Sequence, residues 1–322
     1  MVRTTVVIPN YNGIKFIENC LESLKKSSSP HKIIVVDNGS SDGSAELVRS
    51  SFPEVKLVCF KENTGFCRAV NEGIKESQTE YIFVLNNDTL VKADTIERLE
   101  RAMDRYPRAL AMQAGMRSMD EPSRIDSDGD LYCALGWAFA VNKDKQIKDS
   151  SKERGIHPVF SGCGGAVLYR KKILDKTGLF DENHFAYLED VDLGYRGRIH
   201  GFSSYANLDA VVFHKGSGFS GSRHNEFKVS LSSRNSIYLI YKNMPLLQML
   251  INLPFLLIGY LIKAVYFSRK GLGRVYLKGV LTGIGNSFSG KLSSSKVKFK
   301  LKNLPNYFKI QFMLWINILR RV

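Results

Sequence analysis

The residues best suited to chemistry fall into two short clusters and one lone histidine. The first cluster is Asn86-Asn87-Asp88, which closes the apolar run Tyr81-Ile82-Phe83-Val84-Leu85. Five apolar residues in a row read as a strand buried on both faces. A polar cluster at the carboxyl end of such a strand is where open α/β sheets bind ligands. Asp88 there suits a hard divalent cation, Mg2+ or Mn2+, which in turn holds phosphates. The plainer alternative is an Asx-rich turn. The second cluster is Glu189-Asp190-Val191-Asp192, at the start of a helical segment. Carboxylates there either do acid–base work or only load the positive end of the helix. Glu189 and Asp192 share one side of such a helix and Asp190 faces elsewhere, so the three are not expected to share one task. His214 follows a β-branched run at another strand end and is a second metal-ligand candidate, with a structural histidine as the alternative.

For these side chains to meet, several strand ends must converge on one edge. Thr4 to Ile8 is a β-branched apolar run that ends at Pro9-Asn10-Tyr11, and Ile14 to Leu24 then shows helical spacing. Lys32 to Val36 is a second strand, stopped by Asp37, and a helix runs from Ser44 to Ser51. Val55 to Phe60 and Tyr81 to Leu85 are further strands, with helices at Cys67 to Ser77 and Ala93 to Tyr106. This alternation predicts an α/β fold with a mostly parallel central sheet and right-handed crossovers. Ala109 to Pro158 is less regular and reads as an insertion that shapes an acceptor site. Beyond it come a glycine-rich bend at Phe160 to Leu168, a helix at Lys171 to Thr177 closed by Gly178, a last short strand at Ala210 to Phe213 and a helix at Arg234 to Asn243.

The charge is unevenly placed. The chain of 322 residues has a net charge of +15, yet Lys228 to Arg321 holds 16 of the 46 Lys and Arg and no acidic residue. Before it, 30 basic residues face 31 acidic ones, so a near-neutral domain precedes a cationic tail. Met244 to Phe267 is the longest apolar run, interrupted by Gln248, Asn252, Pro254 and Lys263. Its length reaches the roughly 20 residues a bilayer span needs, while the polar residues suit an in-plane amphipathic helix or a helical hairpin equally well. Basic residues with interleaved aromatics bind either nucleic acid or anionic lipid, and the apolar run favours the membrane. Five cysteines without a CxxC spacing argue for reduced thiols in a cytosolic setting, against a disulfide framework or a zinc site. No signal peptide precedes the first strand.

With these clusters in order, the chain resembles glycosyltransferase family 2, the nucleotide-sugar enzymes of the GT-A fold. VVIPNYNG looks like that family's opening strand and loop, IIVVDNGSSDGS its second strand, and NTGFCRAVNEGI its third loop and helix. LNND stands where the family carries Asp-x-Asp, with an amide at the first acidic position, which removes one charge from the metal site. FAYLEDVDLGYR resembles the Glu-Asp element that bears the catalytic base. HKGSGFSG followed by RNSIYLIYKN is similar to bacterial rhamnosyltransferases and related polysaccharide enzymes. The match runs over residues 3 to 243.

The resemblance implies a catalytic domain over residues 1–243 and a helical, membrane-associating region over 244–322, at the cytoplasmic face of a bacterial inner membrane, peripheral or monotopic. It implies an inverting, metal-dependent transfer from a dTDP- or UDP-sugar, rhamnose favoured, to a glycan or polyprenyl-diphosphate-linked acceptor. A galactofuranosyl or hexosyl transfer is the alternative, and a silent membrane-anchored scaffold the reading from another class. Asp190 is then the base, with Glu189 beside it. Asp88 and His214 are metal ligands, and Pro9, Asn10, Tyr11, Asp37 and Asn87 line the nucleotide-sugar pocket. Asp37 also fits an N-cap or Asx turn. Gly65 permits close backbone approach by a base or ribose. Arg68 and Asn71 open a helix whose N-terminus suits phosphate, with a solvated Arg68 the alternative. Arg196 and Arg198 have the length to reach a diphosphate.

Overall fold

The computed structural model describes residues 1–147, 155–216, 224–289 and 295–321. The glycine-rich tract Ser217 to Gly221 of the HKGSGFSG motif lies outside the described residues. The first half alternates as its pattern predicts: β1 (Thr4–Asn10), α1 (Ile17–Lys25), β2 (His31–Asp37), α2 (Ser44–Ser51), β3 (Lys56–Cys59), α3 (Phe66–Lys75), β4 (Tyr81–Leu85), β5 (Thr89–Val91) and α4 (Thr95–Arg105). There follow β6 (Ala109–Ser118), β7 (Ile125–Ser127), β8 (Asp130–Cys133), β9 (Trp137–Ala140), β10 (Ile156–Val159) and β11 (Ala166–Arg170). Then come α5 (Lys171–Thr177), α6 (Glu189–Ile199), β12 (Ser203–His214), α7 (Glu226–Asn243), α8 (Leu246–Arg269), α9 (Gly273–Phe288) and α10 (Leu304–Leu319).

The main sheet runs β10-β12-β6-β11-β4-β1-β2-β3. It is parallel from β4 through β1 and β2 to β3, and again between β12 and β6. β11 enters between β4 and β6 antiparallel to both. Both faces are covered, which is why β1 and β4 read as unbroken apolar runs. Val6, Ile8, Phe83 and Leu85 face one layer with Leu21, Leu99 and Met103. Val7, Ile82 and Val84 face the other with Val70, Ile74 and Leu193.

Two expectations fail here. Ala109 to Ser118 is no insertion but a ten-residue strand in the middle of the sheet, buried at all but its last residue. Its alanines, methionines and glycine lack the β-branched signature that marks the other strands, so packing rather than propensity decides it. The short strand expected at Ala210 to Phe213 is the end of the twelve-residue β12, whose register slips between Asn207 and Val211. The polar residues at that slip hide its continuity.

The C-terminal helices are built the other way out. Along α8, Gln248, Asn252, Leu256 and Gly259 are buried, whereas Leu247, Leu250, Leu257 and Leu261 are exposed. Tyr195 Oη donates to Gln248 Oε1, and Asn252 and Gln311 exchange two amide hydrogen bonds of 2.8 Å. In α9 the buried stripe is Gly273, Tyr276, Gly279, Gly283 and Ser287, and Leu277, Leu281 and Phe288 point outward. Small residues at this spacing let α9 lie against α7, a seam typical of helices packed without a hydrophobic drive between them. α10 exposes Phe308, Phe312 and Leu319 and buries Gln311 and Asn317. These helices share a core with the sheet body through Tyr132, Tyr195, Leu256 and Leu314. Among the described residues α8 alone is long and apolar enough to cross a membrane.

Candidate active site

The loops after β1 and β4, the loop before β11, the end of β12 and the start of α6 surround an open cleft of about 550 Å3. Pro9, Asn10 and Tyr11 line it from β1, and Asn86, Asn87 and Asp88 from β4. Glu189, Asp190 and His214 face them. Residues that are over a hundred positions apart thus converge at the strand ends.

Asp88 and His214 point at one spot. His214 Nε2 lies 3.2 Å from Asp88 Oδ1, and its other nitrogen, Nδ1, lies 2.8 Å from Asp126 Oδ2. A carboxylate behind an imidazole fixes its tautomer and orientation, the usual arrangement behind a metal-bound histidine. Burial lowers the imidazole pKa, but Asp126 and Asp88 outweigh it and push it up to about 9. Burial likewise raises Asp126, and His214 with Lys143 more than reverses it, holding that carboxyl well below the usual range. One carboxylate oxygen and one oriented ring nitrogen fit a divalent cation. Asn86 Nδ2 stands 3.5 Å from His214 Nε2, where the acidic form of this motif would put a charge. Asp126 follows from no periodicity, and the sequence did not single it out, since its partner lies 88 positions away.

The approach to α6 is sharply bent. Phe185, Tyr187 and Leu188 all have positive φ, at 64°, 70° and 66°. Non-glycine residues held this way cost roughly 1–3 kcal/mol each and persist only where the surroundings impose them. The surroundings here are the polar residues of the RNSIYLIYKN segment. Asn235 Nδ2 donates to the carbonyls of His184, Ala186 and Tyr187, and Arg234 donates to those of Asn183 and His184. Two turns on, Lys242 reaches Asp192 at 2.8 Å and Asp181 at 2.7 Å, and Asn243 donates to Asp192. Burial alone would raise Asp192, but Arg196 and Lys242 hold it far below the carboxylate range. The motif is therefore a brace for the loop and helix that carry Glu189 and Asp190.

Asp190 is half-buried and takes amide hydrogen bonds from Gly164 and Val191. Burial raises its pKa, and these donors oppose the rise. Glu189 is buried, raised by that burial and by Asp190, and its Oε2 has no hydrogen-bond partner. Of the two, Asp190 is the less buried.

The nucleotide-side residues divide. Asn87 Nδ2 donates to Asn10 Oδ1 at 2.7 Å, and Asn10 Nδ2 to Asp37 Oδ1 at 2.9 Å, so the ends of β1, β2 and β4 are laced together. Asp37 also accepts from Ser40 N at 3.0 Å, three residues on, so its carboxylate holds the loop after β2. Gly65 has φ 91°, but what approaches it is Phe185: a Cβ there would lie 2.6 Å from that ring. Arg68 is exposed, its guanidinium 5.7 Å from the Phe60 ring centre, outside the cleft. Asn71 is buried and clamps Phe180, donating to its carbonyl and accepting from its amide. Arg196 is buried too, paired with Asp192 and bound to the carbonyls of Thr177, Gly178 and Leu179. Arg198 donates to Phe160 and Val159. Asn71, Arg196 and Arg198 are thus spent on the scaffold and do not reach a diphosphate. A buried guanidinium needs several acceptors at once, and backbone carbonyls at a loop are the nearest source.

Glycosyl transferase family 2 matches residues 5–178, and the chain belongs to that family. An N-acetylglucosaminyl-diphospho-decaprenol L-rhamnosyltransferase of Mycobacterium tuberculosis is 29% identical over 239 residues, 65% of this chain and 75% of that one. Among solved structures, Staphylococcus aureus TarS 1-349 in complex with UDP aligns at TM-score 0.52 and 17% identity, over 95% of this chain and 78% of that one. The mannosyltransferase PcManGT of Pyrobaculum calidifontis, solved with GDP-Man and Mn2+, aligns at TM-score 0.55 and 16% identity, over 89% and 87%. The GT-A fold and the rhamnosyltransferase-like family expected from the motifs both hold. The protein is a glycosyltransferase.

Proposed function

We propose that the protein is an inverting, membrane-associated glycosyltransferase that moves a sugar, rhamnose favoured, from a nucleotide-diphosphate donor to a lipid-linked glycan in bacterial surface-polysaccharide synthesis. The observation that carries this is the meeting of Asp88 and His214 with Asp190 in one cleft. In this reading Asp88 and His214 hold Mg2+ or Mn2+, which neutralises the leaving diphosphate. Asn10, Tyr11 and Asn87 lie along the nucleotide, with Asp37 tying their loops together. The acceptor hydroxyl gives its proton to Asp190 as its oxygen bonds to the anomeric carbon. The bond from that carbon to the phosphate oxygen breaks in the same displacement, so the configuration inverts. Ala138 to Ala140, Phe185 and Phe227 give the acceptor side an apolar wall.

The exposed apolar faces of α8, α9 and α10, flanked by Arg269, Lys270, Arg274 and Lys309, support seating in the plane of an anionic cytoplasmic leaflet. The rhamnosyltransferase relative supports a polyprenyl-diphosphate acceptor by its name. A thermal-shift panel with dTDP, UDP and GDP, each with Mn2+ and with EDTA, tests the donor, since a ligand of the native state alone raises the melting temperature. A metal-dependent shift selective for dTDP is expected. A UDP-selective shift moves the assignment to a hexosyl or galactofuranosyl donor, and no shift at all favours a non-catalytic scaffold.

A further inference from the structure

Asp130 lies in none of the motifs that carry the family resemblance, yet it faces Asp190. It opens β8, its backbone fixed to the 160 loop by Asp130 N to Ser161 O at 3.1 Å and Phe160 N to Asp130 O at 2.8 Å. Its carboxyl, that of Asp190 and the Cys163 thiol lie within 4.8 Å of one another. Two carboxylates this close in a half-buried pocket do not both ionise readily, so the pair retains one proton. The backbone decides which carboxyl keeps it. Asp190 receives the amide hydrogens of Gly164 and Val191, at 3.3 and 2.7 Å, and such donors suit an anion. They also speak against a cation held by this cluster.

From these contacts we propose that Asp130 is a positioning residue for glycosyl transfer, its protonated carboxyl donating to Asp190 so that the base stays ionised and aimed. The inference rests on the reading of Asp190 as the base. Burial holds Glu189, Cys163, Cys67 and Tyr169 around the pair in their protonated forms. Asp126 and Lys143 pair with each other at 2.7 Å, and Asp192 is neutralised by Arg196 and Lys242. As pH falls, the next proton the pair takes up is the one that neutralises Asp190.

The test is the pH dependence of kcat/KM for the full chain and for Asp130→Ala, Asp130→Ser, Asp130→Asn and Asp190→Asn. Removing the Asp130 donor leaves only the amides of Gly164 and Val191 to oppose the burial of Asp190. Asp130→Ala should move the acid limb up by about one pH unit and so lower turnover by up to about tenfold on the acid side of the limb, with recovery on its alkaline side and little change in KM. Asp130→Asn keeps an N–H at the same place and should keep the wild-type limb. An Asp130→Ala enzyme with the wild-type profile, or an Asp130→Asn enzyme as impaired as Asp130→Ala, overturns the proposal. If the alanine variant does not fold, Asp130→Ser decides on the same criteria. Turnover retained in Asp190→Asn removes Asp190 from the base role, an outcome read separately from the Asp130 profiles.

Discussion

The sheet body and the C-terminal helices share one core but obey opposite rules. In the body, β4 buries Tyr81 to Leu85 completely, and of the charged residues of α4 only Glu100 is buried. In α8 the buried stripe contains Gln248 and Asn252, and the leucines face out. Each arrangement puts the less solvated groups where hydrogen bonds or apolar contact can satisfy them. The body therefore turns polar groups outward, and the helices turn apolar ones outward. The glycines of α9 bring its backbone close against α7.

The contrast can be broken most strongly on α8. Leu257→Asp with Leu261→Asp removes two outward apolar side chains, each worth about 1.5–3 kcal/mol when buried. Binding to anionic vesicles, measured by sedimentation, should fall by at least about a hundredfold while the thermal melt in buffer stays unchanged. A melt that collapses would show that this face is packed within the protein after all. Asp190→Asn should do the reverse, cutting turnover about 10²–10⁴-fold while vesicle binding and the nucleotide thermal shift persist.

A smaller effect separates the two regions by pH. His184 is fully buried, neither ring nitrogen has a hydrogen-bond partner, and burial lowers its pKa to about 4. The unfolded chain binds this proton below about 6.5 and the folded chain only near 4. Stability is thus full above pH 6.5 and falls as pH drops toward 4, by up to about 3 kcal/mol. Urea midpoints across that window should show the slope in the wild type and a flatter one in His184→Phe. The smallest effect sharpens the account of the inward amides. Asn252→Ala leaves the Gln311 amide buried without its partner and should cost about 1–3 kcal/mol in urea unfolding. No loss there would mean that the α8–α10 contact is not sustained by polar pairing.

Much of the body was legible because its strands are β-branched and its loops polar. Ser44–Ser51, Tyr81–Leu85 and Lys171–Thr177 stand where their patterns put them. β6 was missed because alanine and methionine carry no strand signature, and its burial comes from neighbours far along the chain. In the site, Asp88, His214 and Asp190 were visible as polar residues at element ends. Asp126, Asp130 and Asn235 were not, since each acts on a partner some 50 to 90 positions away. Arg196 and Asn71 misled for the related reason that a long polar side chain gives no hint of whether its partner is a ligand or a backbone carbonyl.

The β8–β9 hairpin is one of the ties between the two regions. Trp137 Nε1 donates to the Gly259 carbonyl at 3.1 Å, and a Cβ on Gly259 would stand 2.2 Å from the Leu135 carbonyl oxygen. The same hairpin carries Ala138, Phe139 and Ala140 into the cleft wall. The absence of one methyl group on α8 thereby acts as gearing. It sets how far the cleft mouth stands from the apolar face, and any side chain at position 259 would shift the wall and the helix together.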